Sequence, residues 1–180
     1  MKCSMRYRAD TRLSAHTAML LALGAVLGYV ETLIAIPMPV PGAKLGLANI
    51  AVVIALAITD PFRAMIVSLG RVALVGLATG TLGGPTVALS LAGACAALVA
   101  MMFLRSRGST FSVVGWAVAG AAAHSVAQIA AACLLVGSFA PLALAPLVLA
   151  LSLPSGLAIG YSARLLISRI PQFTLSVAGR

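Results

Sequence analysis

The sequence predicts an all-α integral membrane protein, a bundle of six spanning helices with both termini in the cytoplasm. Three observations carry that prediction. Of 180 residues, 62% are hydrophobic and only 8% charged, against roughly 25% charged in soluble domains. Such a chain cannot cover its surface with polar groups, so part of its solvent must be lipid. Apolar runs near the ~20 residues that a spanning helix needs recur along its length, separated by Pro, Gly and charge. The basic residues gather in alternate loops, which fixes a direction across the membrane. Backbone N–H and C=O groups find no water in lipid, so the spans must be helices.

The elements follow in order. Residues 1–15, containing MKCSMRYRADTR, read as a basic cytoplasmic segment. The run behind them is about as long as a span and has no small-x-small cleavage site, so it reads as a helix that stays and not as a signal peptide. The first span covers 16–36 and stops at Pro37, Pro39 and Pro41, which cannot continue a helix. The second, 44–59, is short and ends at Asp60-Pro61, a good cap and first residue for the helix that follows. The third, 62–81, is closed by GTLGGP. The fourth covers 85–104 and the fifth 111–136. The sixth, 141–168, holds Pro146 and Pro154, so a kink or an early break is expected there. The spanning domain is thus 16–170 and the cytoplasmic tail 171–180, with no linker, second domain or internal repeat.

Placing the N-terminus in the cytoplasm puts ten of the twelve basic residues inside: Lys2, Arg6, Arg8, Arg12, Arg63, Arg105, Arg107, Arg164, Arg169 and Arg180. Outside lies Lys44, and Arg71 falls within the third span. This is the positive-inside pattern of a multi-pass protein of the cell membrane. The net charge of +9, against the three acids Asp10, Glu31 and Asp60, suits flanks that face anionic lipid. It does not suggest nucleic acid, because the basic residues form no stripe. Cys3, Cys95 and Cys133 are scattered and form no CxxC pair; no metal site or disulfide framework is expected.

An ionisable residue at mid-span costs about 2.5–3.5 kcal/mol on insertion scales, so each is a functional candidate. Alternating helix direction places Glu31 in the outer third of the first span, Lys44 at the outer mouth of the second and Asn49 a turn deeper. Arg71 falls near the middle of the third span and Ser90 in the outer part of the fourth. His124 lies near the middle of the fifth, with Gln128 one turn above on the same face. These residues describe a cup open to the outside, with the proline-rich loop 37–41 over it as a stiff lid. A structural reading stands beside the functional one. Glu31 with Arg71 or Lys44 would be a buried pair that fixes packing, Lys44 would snorkel to the interface, and the uncharged polar residues would be interhelical glue. Asp60 and Arg63 read as a capping pair.

Small residues four apart allow helices to approach closely. They occur at Ala18 and Ala22, Gly24 and Gly28, Gly76 and Gly80, and Ala119 and Ala123. No Asp-rich motif, HExxH, G-x-S-x-G or phosphate-binding loop is present. We therefore expect no catalytic residues, no metal, no cofactor and no enzyme activity in this chain alone.

Four stretches occur in order over about residues 15–170: PGAKLGLANI (41–50), SLGRVAL (68–74), ALSLAGA (88–94) and GAAAHSVAQ (120–128). Together they resemble the Gx transporter family, long described as component I of heptaprenyl diphosphate synthase. Where that family has His-Asn, this chain has His124-Ser125. The family is itself similar to the substrate-binding S-components of energy-coupling-factor (ECF) vitamin transporters. The resemblance implies a six-helix subunit that captures a vitamin-like micronutrient from outside, its first outer loop capping the ligand. It implies docking through Ala18 and Ala22 onto a coupling transmembrane subunit driven by cytoplasmic ATPases. The expected ligand is a small molecule, anionic or polar-aromatic, contacted by Glu31, Lys44, Asn49, Arg71, Ser90, His124 and Gln128. The alternative is a non-catalytic membrane partner of a soluble prenyl diphosphate synthase, holding a polyprenyl diphosphate; a plain membrane scaffold is a third reading.

Overall fold

In the computed structural model the described residues are 2–33 and 46–170, the side chains of 2–12 and of Ser109 excepted. Among them every regular element is helical. The helices are α1 (Lys2–Leu33), α2 (Asn49–Ile58), α3 (Pro61–Ala78), α4 (Pro85–Ser106), α5 (Val113–Val136) and α6 (Ala145–Ser168). Short 3₁₀ turns at Gly108–Thr110 and Ala140–Leu144 precede α5 and α6.

Three elements differ from the sequence expectation. α1 begins at Lys2, so the basic segment set apart at 1–15 runs helically into the apolar stretch Leu13–Leu33. α2, expected over 44–59, is a helix only from Asn49 to Ile58. At 1.5 Å per residue it is about 15 Å long, half of a ~30 Å hydrocarbon core. Among the described residues five helices are long and apolar enough to cross a membrane, and α2 is a shorter apolar helix beside them. Of the kink or early break expected in α6, the break does not occur. Pro146 sits in its first turn, where its missing N–H costs nothing, and the helix continues through Pro154, whose ring is on the exposed face.

α2 is held from all sides: it packs against α1, α3, α5 and α6. Val52, Val53 and Leu56 are fully enclosed, as expected of a helix that is apolar all round. A turn at Gly46, with φ +81°, starts it, and the Asn49 N–H donates to the Gly46 carbonyl at 2.8 Å. Its far end is closed from another helix. Arg105 of α4 donates from Nη1 to the Leu56 carbonyl and from Nη1 and Nη2 to the Thr59 carbonyl at 3.3 and 3.2 Å. Asp60 then caps α3, its Oδ1 accepting from the Arg63 N–H at 2.9 Å and its Oδ2 pairing with Arg63 Nη1 at 3.1 Å, as the sequence suggested.

Lipid offers no hydrophobic drive between helices, so close packing must hold the bundle together. Gly24 and Gly28 of α1 supply it: a Cβ on Gly24 would lie 3.2 Å from Ala51 and from Arg71, and one on Gly28 3.0 Å from Val75. Gly156 and Gly160 of α6 meet α5 more tightly: a Cβ on either would lie 2.8 Å from a backbone Cα, of Val118 and Val114 respectively. The small pair expected on α5 is displaced by two residues. Ala119 and Ala123 are half-buried, and the contacts to α6 are made by Ala117 and Ala121. Gly80 does no packing; with φ +66° it leads the chain away from the end of α3. Ala18 and Ala22 are exposed.

Candidate functional site

From α2 onward the connections are short and successive helices run antiparallel. Arg63, Arg105, Arg107, Arg164 and Arg169 therefore share one end of the bundle. A cavity of about 150 Å³ opens toward the other end, between α1, α3, α4 and α5. An engineered void of similar size admits benzene, so this one suits a small molecule or one end of a larger one.

Arg71 lies deepest. It is 7% exposed and lines the cavity. Its stem lies over Gly24, where any side chain would crowd it. Its Nη2 donates to Asn49 Oδ1 at 2.5 Å, while its Nε has no partner. Glu31, about two turns beyond Gly24 along α1, also lines the cavity and is 7% exposed. Its Oε1 accepts from the Gly46 N–H at 2.5 Å and from the Leu47 N–H at 3.4 Å. With the Asn49 N–H on the Gly46 carbonyl, one turn of backbone joins the buried acid to the buried base. Two charges that would each be costly in lipid are thereby anchored on the start of α2.

α4 and α5 form the opposite wall. Ser90 and His124 line it. The imidazole fills the hollow left by Gly93, where a Cβ would lie 2.6–2.8 Å from three ring atoms. The Ser90 hydroxyl has no partner. Gln128, a turn beyond His124, is 2% exposed and its Nε2 is unpaired, but it stands behind the lining and not in it. Asn49 likewise acts from behind, through Arg71.

Four of the expected binding residues thus meet at one cavity: Glu31, Arg71, Ser90 and His124. Asn49 and Gln128 stand beside it. Lys44 and the proline-rich loop 37–41 lie outside the described residues. Sequence reasoning missed the threonines Thr32, Thr79, Thr81 and Thr86, which line the mouth. Their hydropathy is close to neutral; the only signal was Thr79-x-Thr81 beside GTLGGP. It also missed that Gly28 and Gly76 line the cavity, since the absence of a side chain has no chemical signature.

The lining offers a guanidinium, a carboxylate, an imidazole and several hydroxyls, without a nucleophile held by a base and an orienting third group. Such a set has the chemistry to bind and orient a polar molecule. A family model described as "Heptaprenyl diphosphate synthase component I" matches residues 20–166. No similar curated protein and no similar solved structure was found.

Proposed function

We propose, from the fact that this chain belongs to the heptaprenyl diphosphate synthase component I family, that it is a membrane-embedded binding subunit and not an enzyme by itself. The family description is of one component of a synthase, and the described residues hold a cavity with polar side chains in its lining. In this reading α1–α6 cross the cell membrane as six spans, α2 with the help of the residues before it. Both termini are cytoplasmic, with 1–15 and 171–180 as flanks. The cavity then opens outward and takes a small polar molecule from outside, in the manner of an S-component, for uptake driven by a separate coupling subunit and ATPases. The exposed Ala18 and Ala22 are the docking face on α1.

The observation that carries this reading is the pair of buried charges, Arg71 and Glu31, in one cavity away from the arginine-rich end. Charges buried only to brace helix packing need no cavity beside them; these two line one. The family description favours a second reading, an accessory subunit that presents a polyprenyl substrate to a soluble synthase. A cavity of about 150 Å³ is too small for a chain of seven isoprene units, which would have to lie along the lipid-facing surface. Purification from native membranes in mild detergent, with partners identified by mass spectrometry, separates the two. A coupling membrane subunit with ATPases supports uptake. A soluble prenyl synthase in their place supports the accessory role and removes the transport reading.

A further inference from the structure

The cavity's charges and orphaned donors also say what class of molecule it takes. Arg71 is more than nine-tenths buried and has one hydrogen bond, from Nη2 to Asn49. Its Nε–H, a donor on a group that stays charged, has no partner. Buried donors are nearly always satisfied, and an exception calls for a bound water, ion or ligand. The Ser90 hydroxyl, on the facing helix of the same cavity, is a second orphan. The negative charge of Glu31 is already met in part by two backbone N–H groups of the α2 start. At Arg71 the unmet demand is therefore for an acceptor, and for a charged one; the Ser90 hydroxyl can donate to the same group.

On the reading that the cavity is a binding site, we propose that its ligand is a small monocarboxylate, held with its carboxylate at Arg71 and Ser90 and its remainder toward the threonine-lined mouth. A carboxylate matches the planar guanidinium fork. A diphosphate does not match the described lining, where its several negative charges would meet one guanidinium and the Glu31 carboxylate. Size gives the same answer, since the void takes a group of about benzene size. Gly28 and Gly76 stand in its wall, packed so closely that a Cβ on either would press on Val75 or Val87 at 3.0 or 2.9 Å.

The test uses the full-length chain with Cys3, Cys95 and Cys133 replaced by serine and Thr86→Cys placed in the cavity wall. The new thiol is reacted with an anionic and with a cationic methanethiosulfonate of similar size, each rate divided by that of a free thiol in solution. Right-side-out vesicles and detergent-solubilised protein are compared. The expected result is a preference of about tenfold for the anionic reagent, the low end of electrostatic focusing in a charged cleft. Arg71→Met should abolish the preference. Benzoate should slow labelling, and benzamide and pyrophosphate should not. A preference for the cationic reagent overturns the proposal. So does a preference unchanged by Arg71→Met, or protection by benzamide or pyrophosphate equal to that by benzoate. Failure of either reagent to label from outside, with labelling in detergent, removes the outward-open cup instead, and the detergent ratio still decides the ligand class.

Discussion

At the scale of single residues, the cavity depends on what is missing as much as on what is present. Gly93 is the clearest case. Alanine is worth about 1 kcal/mol more than glycine in a helix, yet here its Cβ would fall 2.6 Å from His124 Cε1. Overpacking of a tight interior costs about 1–3 kcal/mol, so the clash outweighs the propensity. Gly93→Ala should lower the melting temperature in detergent, and the loss should shrink by at least half when His124→Ala is also present. A double-mutant cycle gives that coupling directly; additivity would mean that the imidazole does not occupy the Gly93 hollow. Charged residues were legible from sequence alone, because in lipid each needs a reason. Glu31, Arg71 and His124 were found that way. Gly93 was not: its importance lies in the volume of a partner thirty-one residues away, and no local pattern encodes it.

At the scale of elements, two contacts decide the architecture. The first is Arg105 on the last carbonyls of α2. A half-length helix packed inside the bundle ends on carbonyls that need a partner, and each buried one left unsatisfied costs about 1–3 kcal/mol. Arg105→Ala should destabilise the fold by that amount and speed hydrogen exchange in α2 selectively. Arg105→Lys should recover only part, since a point charge replaces a fork. Uniform exchange across all helices would show that Arg105 holds nothing particular at α2. The second contact is α6 on α5. A Cβ on Gly156 would meet the backbone of Val118 at 2.8 Å, and backbone cannot swing aside as an imidazole can. Gly156→Ala should therefore cost more than Gly93→Ala. Gly115→Ala, with nothing nearer than 3.8 Å, should be neutral; equal melting temperatures for Gly156→Ala and Gly115→Ala would refute the close approach. Hydropathy located the long helices to within a few residues. It overextended α2, because buried and lipid-facing apolar residues look alike in a sequence. It also displaced the α5 contact, because the chain is rich in alanine and only the partner glycines select Ala117 and Ala121.

At the scale of the whole molecule, everything functional rests on direction. The arginines at the ends of α4 and α6 and the start of α3 share one end of the bundle, and the cavity opens toward the other. If the positive-inside rule holds here, the cavity faces outward and serves capture. If the bundle is inverted, the same cavity faces the cytoplasm and an accessory role for a soluble synthase becomes the stronger account. Single cysteines in a background without the native ones settle the matter. Leu82→Cys and Phe139→Cys lie in the connections at the cavity end, and both positions are exposed. Thr110→Cys lies in the connection between α4 and α5 at the arginine-rich end and is also exposed. On intact cells an impermeant thiol reagent should label the first two and reach Thr110→Cys only after permeabilisation. The opposite pattern would turn the cup inward. Labelling of all three from outside would mean that α4 and α5, the helices that separate these positions, do not cross the membrane, and the six-span bundle would fall with them.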